Sequence, residues 1–118
     1  DISERDNMDS YKVYYADEMH KSEEWMDSSI DQLTEDVYIT LDLDALDPSI
    51  MPATGTPEPG GLSWYQLTNY LQSVFESRNV VGFDIVELAP IEGMHAPQFL
   101  AAKLYYKMLS YKFADYEF

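Results

Sequence analysis

Residues 37–61 read VYITLDLDALDPSIMPATGTPEPGG, and the break in the middle of that stretch decides the architecture. Up to Leu43 the run is β-branched and largely apolar, the composition of a strand buried on both faces. From Asp44 onward it turns acidic and proline-punctuated. Four prolines and three glycines between Pro48 and Gly61 predict a long, fixed loop rather than regular structure. Loops of that length inside compact domains are usually functional.

Working outward toward the carboxyl end, Ser63 and Gln66 stand three apart as a capping box, with Leu62 and Leu67 where a hydrophobic staple places them. Trp64, Leu67, Leu71, Val74 and Phe75 then repeat at helical spacing. Residues 80–88 (VVGFDIVEL) read as a second buried strand, followed by a short loop with Pro90 and Gly93. Pro97 is placed to open a last helix whose inner face carries Leu100, Leu104 and Met108. Toward the amino end, the spacing predicts a helix from about Ser22 to Leu33. Ser22 caps it, Glu23 and Glu24 complement its dipole, and Trp25, Met26, Ile30 and Leu33 mark its inner face. Residues 11–15 (YKVYY) are β-prone and predict a short strand.

Strands alternating with helices argue for an α/β fold: three layers, α-β-α, around a mainly parallel sheet with right-handed crossovers. Such folds bind ligands at the carboxyl ends of their strands, and both acidic clusters fall there.

Composition sets the bounds. The 118 residues are enough for one small domain, and 46% hydrophobic residues are too many for a disordered segment. There is no cysteine, which excludes disulfides, thiolate–zinc sites and thiol nucleophiles. Neither a membrane-length apolar run nor a signal-peptide pattern stands in the sequence, so a cytoplasmic location is expected. Seven basic residues against 22 acidic ones give a formal charge of −15. That charge repels phosphate backbones and anionic lipid, so neither a nucleic-acid nor a membrane partner is expected, whereas cationic ligands and metal ions are favoured. Acidic residues also solvate a surface without any ligand.

Three carboxylates stand where chemistry is expected. Asp42 and Asp44 are two apart, so on an extended backbone both leave the same face. Like charges so placed repel unless a cation lies between them, and hard divalent ions take such oxygens. The alternative is that these acids cap the loop by accepting backbone N–H groups. An EF-hand is excluded because its glycine and closing glutamate are missing. Asp47, before Pro48, reads as a turn residue. Glu87 leaves the end of the second strand and needs a partner: a planar guanidinium would pair with it bidentately, and a structural salt bridge to Arg78 or a lysine is the alternative. Asp84 reads as structural. His95 lies in the loop after the second strand, and His20 is the other histidine. A lone histidine is more often structural than a ligand. Tyr105 and Tyr106 read as packing or subunit contact.

Taken together, TLDLDALDPSIMPATGTPEPGGLS resembles the second signature of the ureohydrolase (arginase–agmatinase) superfamily, GFDIVELAP resembles its guanidinium-binding strand, and FLAAKLYYKMLSYKF resembles the last helix of agmatinases. Thr40 stands where serine is commoner. The resemblance implies that residues 1–118 are the carboxyl-terminal part of a single ureohydrolase domain, an incomplete arginase-like fold. It implies that Asp42 bridges two Mn2+ ions, that Asp44 ligates one of them, and that Glu87 binds the substrate as a catalytic residue. The implied reaction is hydrolysis of a linear, cationic guanidino compound, first of all agmatine to putrescine and urea. Two divalent ions suit it by making water nucleophilic at neutral pH. A homo-oligomer, trimeric or hexameric in the full-length form, is implied as well. The family's remaining ligands come from Gly-Gly-Asp-His and Asp-Ala-His-x-Asp motifs, and neither occurs here. The chain therefore reads as beginning mid-domain and as inactive by itself.

The alternatives within the family are an arginase or another guanidino- or formimino-acid hydrolase, and an inactive assembly subunit. Outside it stands a manganese-dependent glycosyltransferase using Asp-x-Asp, which needs basic residues for the diphosphate; none lies near Asp42.

Overall fold

The structure is a computed structural model and describes residues 12–113. It divides into two compact units, meeting in sequence between Leu33 and Thr34. In the first, α1 (Ala16–Met19) and α2 (Glu24–Asp31) follow each other across a turn. Helix α2 is shorter than the expected Ser22-to-Leu33 span. Glu23, not Ser22, is its N-cap, and the Ser22 hydroxyl accepts from the Glu24 N–H at 3.3 Å. At its other end Gln32 N bonds Ser29 O and Leu33 N bonds Ile30 O, which tightens the last turn into 3-10 form. Trp25 and Ile30 are buried as expected, whereas Met26 and Leu33 are half-buried.

The strand expected at residues 11–15 does not form over residues 12–15, and Tyr11 lies outside the described residues. β-propensity needs a partner strand. Here the side chains serve α2 instead: the Tyr14 phenol bonds the Ser28 hydroxyl at 2.8 Å and takes the Gln32 amide N–H, and Lys12 Nζ reaches Gln32 O at 3.1 Å.

The second unit is built on two parallel strands, β1 (Asp36–Asp42) and β2 (Asn79–Val86), in register from Asp36↔Asn79 to Asp42↔Val86 with one irregularity between Val37 and Tyr38. Helices α3 (Trp64–Ser77) and α4 (Ala96–Lys112) complete it. The capping box at α3 forms as expected: Gln66 N donates to Ser63 Oγ at 3.1 Å and Ser63 N to Gln66 Oε1 at 2.9 Å. Pro97 lies in the first turn of α4 and is buried, and Leu104 and Met108 are fully buried behind it.

The core joins Leu41, Leu43, Leu46, Met51, Ala53, Leu67, Leu71, Leu104 and Met108, with Ile39, Phe83 and Ile85 packed against it. Phe83 meets Phe75 of α3 edge-on at 6.0 Å and Tyr105 of α4 at 5.5 Å, so both helices cover the same face of the strand pair. The expectation that both strands are buried on both faces is corrected here. Up to Leu41, β1 alternates exposed residues with half-buried or buried ones, and Tyr38 and Val81 are 59% and 62% exposed. Within this unit the helices occupy one face only, so the period-two alternation of a strand becomes visible in its exposure.

The proline-rich stretch is a packed loop rather than a slack one. Leu46, Met51 and Ala53 sit in the core. Its two ends are stitched by Leu62 N to Ala45 O at 2.8 Å and Asp47 N to Leu62 O at 3.0 Å. A short 3-10 turn, Leu43–Ala45, opens it.

Candidate active site

Because β1 and β2 run parallel, their carboxyl ends fall side by side, about 4.8 Å apart in the hydrogen-bonding direction. Asp42 is the last residue of β1 and pairs with Val86, the last residue of β2, so Glu87 leaves the sheet beside it. All three predicted carboxylates therefore come from one end of the strand pair.

The way Asp42 and Asp44 are held differs from expectation. Asp44 lies in the 3-10 turn rather than on extended chain, and Asp42 caps that turn by accepting the Asp44 N–H on Oδ1 at 3.0 Å. Leu43, between them, is fully buried, while both acids are half-exposed. Capping and ligation were alternatives in the sequence; the structure shows the cap, and it engages one oxygen of Asp42. Asp44 is braced in turn by the Thr56 hydroxyl, which donates to Oδ2 at 3.0 Å.

Glu87 is the one non-glycine among the described residues with a positive φ, +74°. A left-handed residue with a side chain costs about 1–3 kcal/mol and persists where its surroundings fix it. Ala89 N donates to Ala53 O at 2.8 Å, tying the chain after Glu87 to the loop. The salt bridge to Arg78 is ruled out by geometry. Arg78 precedes β2 and Glu87 follows it, so the strand's length, about 26 Å at 3.3 Å per residue, separates them. No hydrogen bond or ion pair engages the Glu87 carboxylate among the described residues.

The loop segment 53–56 thus touches both sides of the site, through Thr56 on Asp44 and through Ala53 on Ala89. Sequence reasoning saw a functional loop but missed Thr56 as a brace. A threonine twelve residues from its acceptor leaves no periodic signal. It also missed the network beneath Asp42, where Tyr38 Oη donates to Asp84 Oδ2 at 2.9 Å and Thr40 Oγ1 to the same oxygen at 3.4 Å. The bond to Asp84 raises the Tyr38 phenol above its usual range. Asp84 Oδ1 is buried and has no partner among the described residues. His95 occupies the N-cap position of α4 without a side-chain cap bond.

Asp47 is the structural acid of the group. Its Oδ1 accepts from Gly60 N at 3.1 Å and Gly61 N at 3.2 Å, and its Oδ2 accepts both the hydroxyl and the N–H of Ser49. The Ser49 hydroxyl, then the backbone donors, hold its carboxyl below the usual range. A depressed value stabilises the fold above the ordinary aspartate pKa of about 3.9, and that contribution disappears as pH falls through the lower folded value. Asp47→Ala is therefore expected to lower the melting temperature at neutral pH, with the gap to wild type closing below about pH 4. Thermal unfolding across that range checks it; a gap that persists in acid would show that the ionised carboxylate is not the stabilising group.

Among the described residues no group of three or more His, Cys, Asp or Glu side chains is arranged to hold a metal ion. Asp42 and Asp44 are nevertheless the right donors in kind, hard oxygens each oriented through one atom by a hydrogen bond, as ligating carboxylates usually are.

Comparison with known proteins identifies the chain's family. The chain matches the Arginase family over residues 1–110. It is 42% identical over 100 residues to an N(1)-aminopropylagmatine ureohydrolase of Synechocystis, covering 84% of this chain and 33% of that protein. An agmatinase of Pyrococcus horikoshii is 35% identical over 80 residues, covering 68% of this chain and 28% of the relative. Among solved structures, an arginase from Bacillus subtilis superposes with a TM-score of 0.81 at 27% identity, covering 92% of this chain and 40% of that one. The chain thus spans about a third of the length of the sequence relatives it matches. On its sequence and its arginase-like α/β fold, it belongs to the arginase family.

Proposed function

We propose that the full-length protein hydrolyses a linear guanidino amine built on the agmatine skeleton, releasing urea and an amine, with residues 1–118 forming the carboxyl-terminal part of one ureohydrolase domain. The observation that carries this reading is the meeting of Asp42, Asp44 and Glu87 at one end of a parallel strand pair. The relatives named above support the substrate class, since agmatine and its aminopropyl derivative share one guanidino-butylamine core.

In this reading Asp42 and Asp44 hold Mn2+ together with ligands from the rest of the domain. Two such ions supply a water nucleophile at neutral pH. Glu87 supplies the other half of the chemistry. Its carboxylate pairs with the flat guanidinium by charge-assisted hydrogen bonds, fixing which face of the central carbon is presented. The net charge of −15 favours approach of such a cation. The same reading makes the protein cytoplasmic and homo-oligomeric.

The test is urea release by the manganese-loaded full-length protein offered agmatine, N1-aminopropylagmatine and arginine. Turnover of one of the two agmatine compounds in preference to arginine is expected, and none from the 118-residue chain alone. Preference for arginine would overturn the substrate class. Absence of urea from all three would overturn the activity.

A further inference from the structure

Four of the five glycines have a backbone or packing reason to be glycine. Gly60 and Gly93 adopt φ of +83° and +79°. A Cβ on Gly61 would lie 2.4 Å from the Asp47 nitrogen, and one on Gly82 would lie 2.9 Å from the Tyr38 ring. Gly55 has neither reason. It is outside the left-handed region and exposed, and the one atom within 4 Å of an added Cβ is Glu87 Oε2, at 3.8 Å. That is an ordinary contact, so the fold itself accepts a side chain there. What the missing side chain leaves clear is the flank of the Glu87 carboxylate.

We propose that Gly55 is a specificity-determining position, whose bare Cα keeps that flank open for a planar cation to pair with Glu87. The proposal rests on Glu87 being the cation-holding group. A charge-assisted N–H···O pair needs about 2.7–2.9 Å between heavy atoms, and a fork making two of them sweeps the shell around both oxygens. A methyl in contact with Oε2 occupies part of that shell, and a branched side chain occupies more. The segment cannot easily retreat, because Ala53 O is held by Ala89 N at 2.8 Å and Thr56 is bonded to Asp44 at 3.0 Å.

The experiment compares Gly55→Ala, Gly55→Val and Glu87→Gln in the manganese-loaded full-length protein. The readouts are KM and kcat for agmatine, inhibition by free guanidinium ion, metal content and melting temperature. Gly55→Val is expected to raise KM about tenfold or more, the scale of discrimination that one misplaced methyl group produces in a fitted pocket. Guanidinium inhibition should weaken in step, while metal content and melting temperature stay at wild-type values. Gly55→Ala, which the fold accommodates without a clash, should shift both in the same direction by less. If Glu87→Gln damages turnover while both glycine variants keep wild-type KM, the Gly55 proposal is overturned and Glu87 keeps its role. If Glu87→Gln is itself fully active, the reading of Glu87 falls and the proposal with it. A loss of metal or of thermal stability that tracks the rise in KM would make Gly55 structural and also overturn the proposal.

Discussion

Replacing Asp42 with alanine in the full-length protein is expected to abolish urea release and to lower the manganese content of the purified enzyme. Asp42 ends β1 at the mouth of the site, and its carboxylate is one of the two proposed to hold the metal. Loss of even an outer partner of a metal ligand typically reduces affinity or activity about 10–100-fold, so loss of the ligand itself should exceed that. The alanine variant has a second effect that must be separated. Asp42 Oδ1 also caps the 3-10 turn through the Asp44 N–H, and a lost cap costs about 1 kcal/mol of stability. Asp42→Asn keeps an acceptor oxygen for that cap and removes the charge. It should therefore lose metal and activity with a smaller fall in melting temperature. Asp47→Ala should behave oppositely, losing stability while retaining metal. An Asp42→Ala protein with full metal occupancy and normal turnover would remove Asp42 from the site.

Why Asp42 was legible from sequence, and Thr56 was not, follows from what each position depends on. A run such as VYITLDL defines a strand through its own side chains, so its carboxyl end, and the acid standing there, can be located without knowing the partner strand. Residues 80–88 were legible in the same way, although their strand ends at Val86, two residues short of the expected end, and the ladder from Asp36↔Asn79 to Asp42↔Val86 brings the two ends together. The α3 cap was equally local, since Ser63 and Gln66 satisfy each other. Residues 12–15 failed for the complementary reason. Their β-propensity is real, but a strand exists only as a pair, and Tyr14 instead joins Ser28 and Gln32 in a side-chain network.

The details of the site needed three dimensions. Extended geometry would have put Asp42 and Asp44 on one face by alternation; the structure instead sets Asp44 in a 3-10 turn that Asp42 caps, through a hydrogen bond that reading by period cannot supply. The left-handed backbone of Glu87 stands beside a tie between residues 36 apart in sequence, Ala53 and Ala89, which reading along the chain cannot supply. Thr56 reaches Asp44 only because the loop is folded back and pinned at Asp47.

Glu87→Gln in the full-length protein should weaken binding of the guanidino substrate while leaving the metals in place. A glutamine keeps the size and one acceptor oxygen but loses the charge and the second acceptor, so a bidentate ion pair becomes a single bond from the cation to a neutral oxygen. A hydrogen bond to a charged group contributes about 1.5–3 kcal/mol, which converts to roughly 10–150-fold in binding, with a further loss where the pair strengthens in the transition state. Steady-state kinetics on agmatine, with metal analysis of the same sample, measures both. A second variant separates function from folding. At φ +74° glycine is at ease where glutamate is strained, so Glu87→Gly should melt no lower than wild type while losing substrate binding more completely than the glutamine variant. That combination, stability kept and activity lost, is the signature of a residue held in strain for its carboxylate. Unchanged catalytic efficiency in Glu87→Gln, or a fall in melting temperature in Glu87→Gly, would instead mark Glu87 as part of the scaffold.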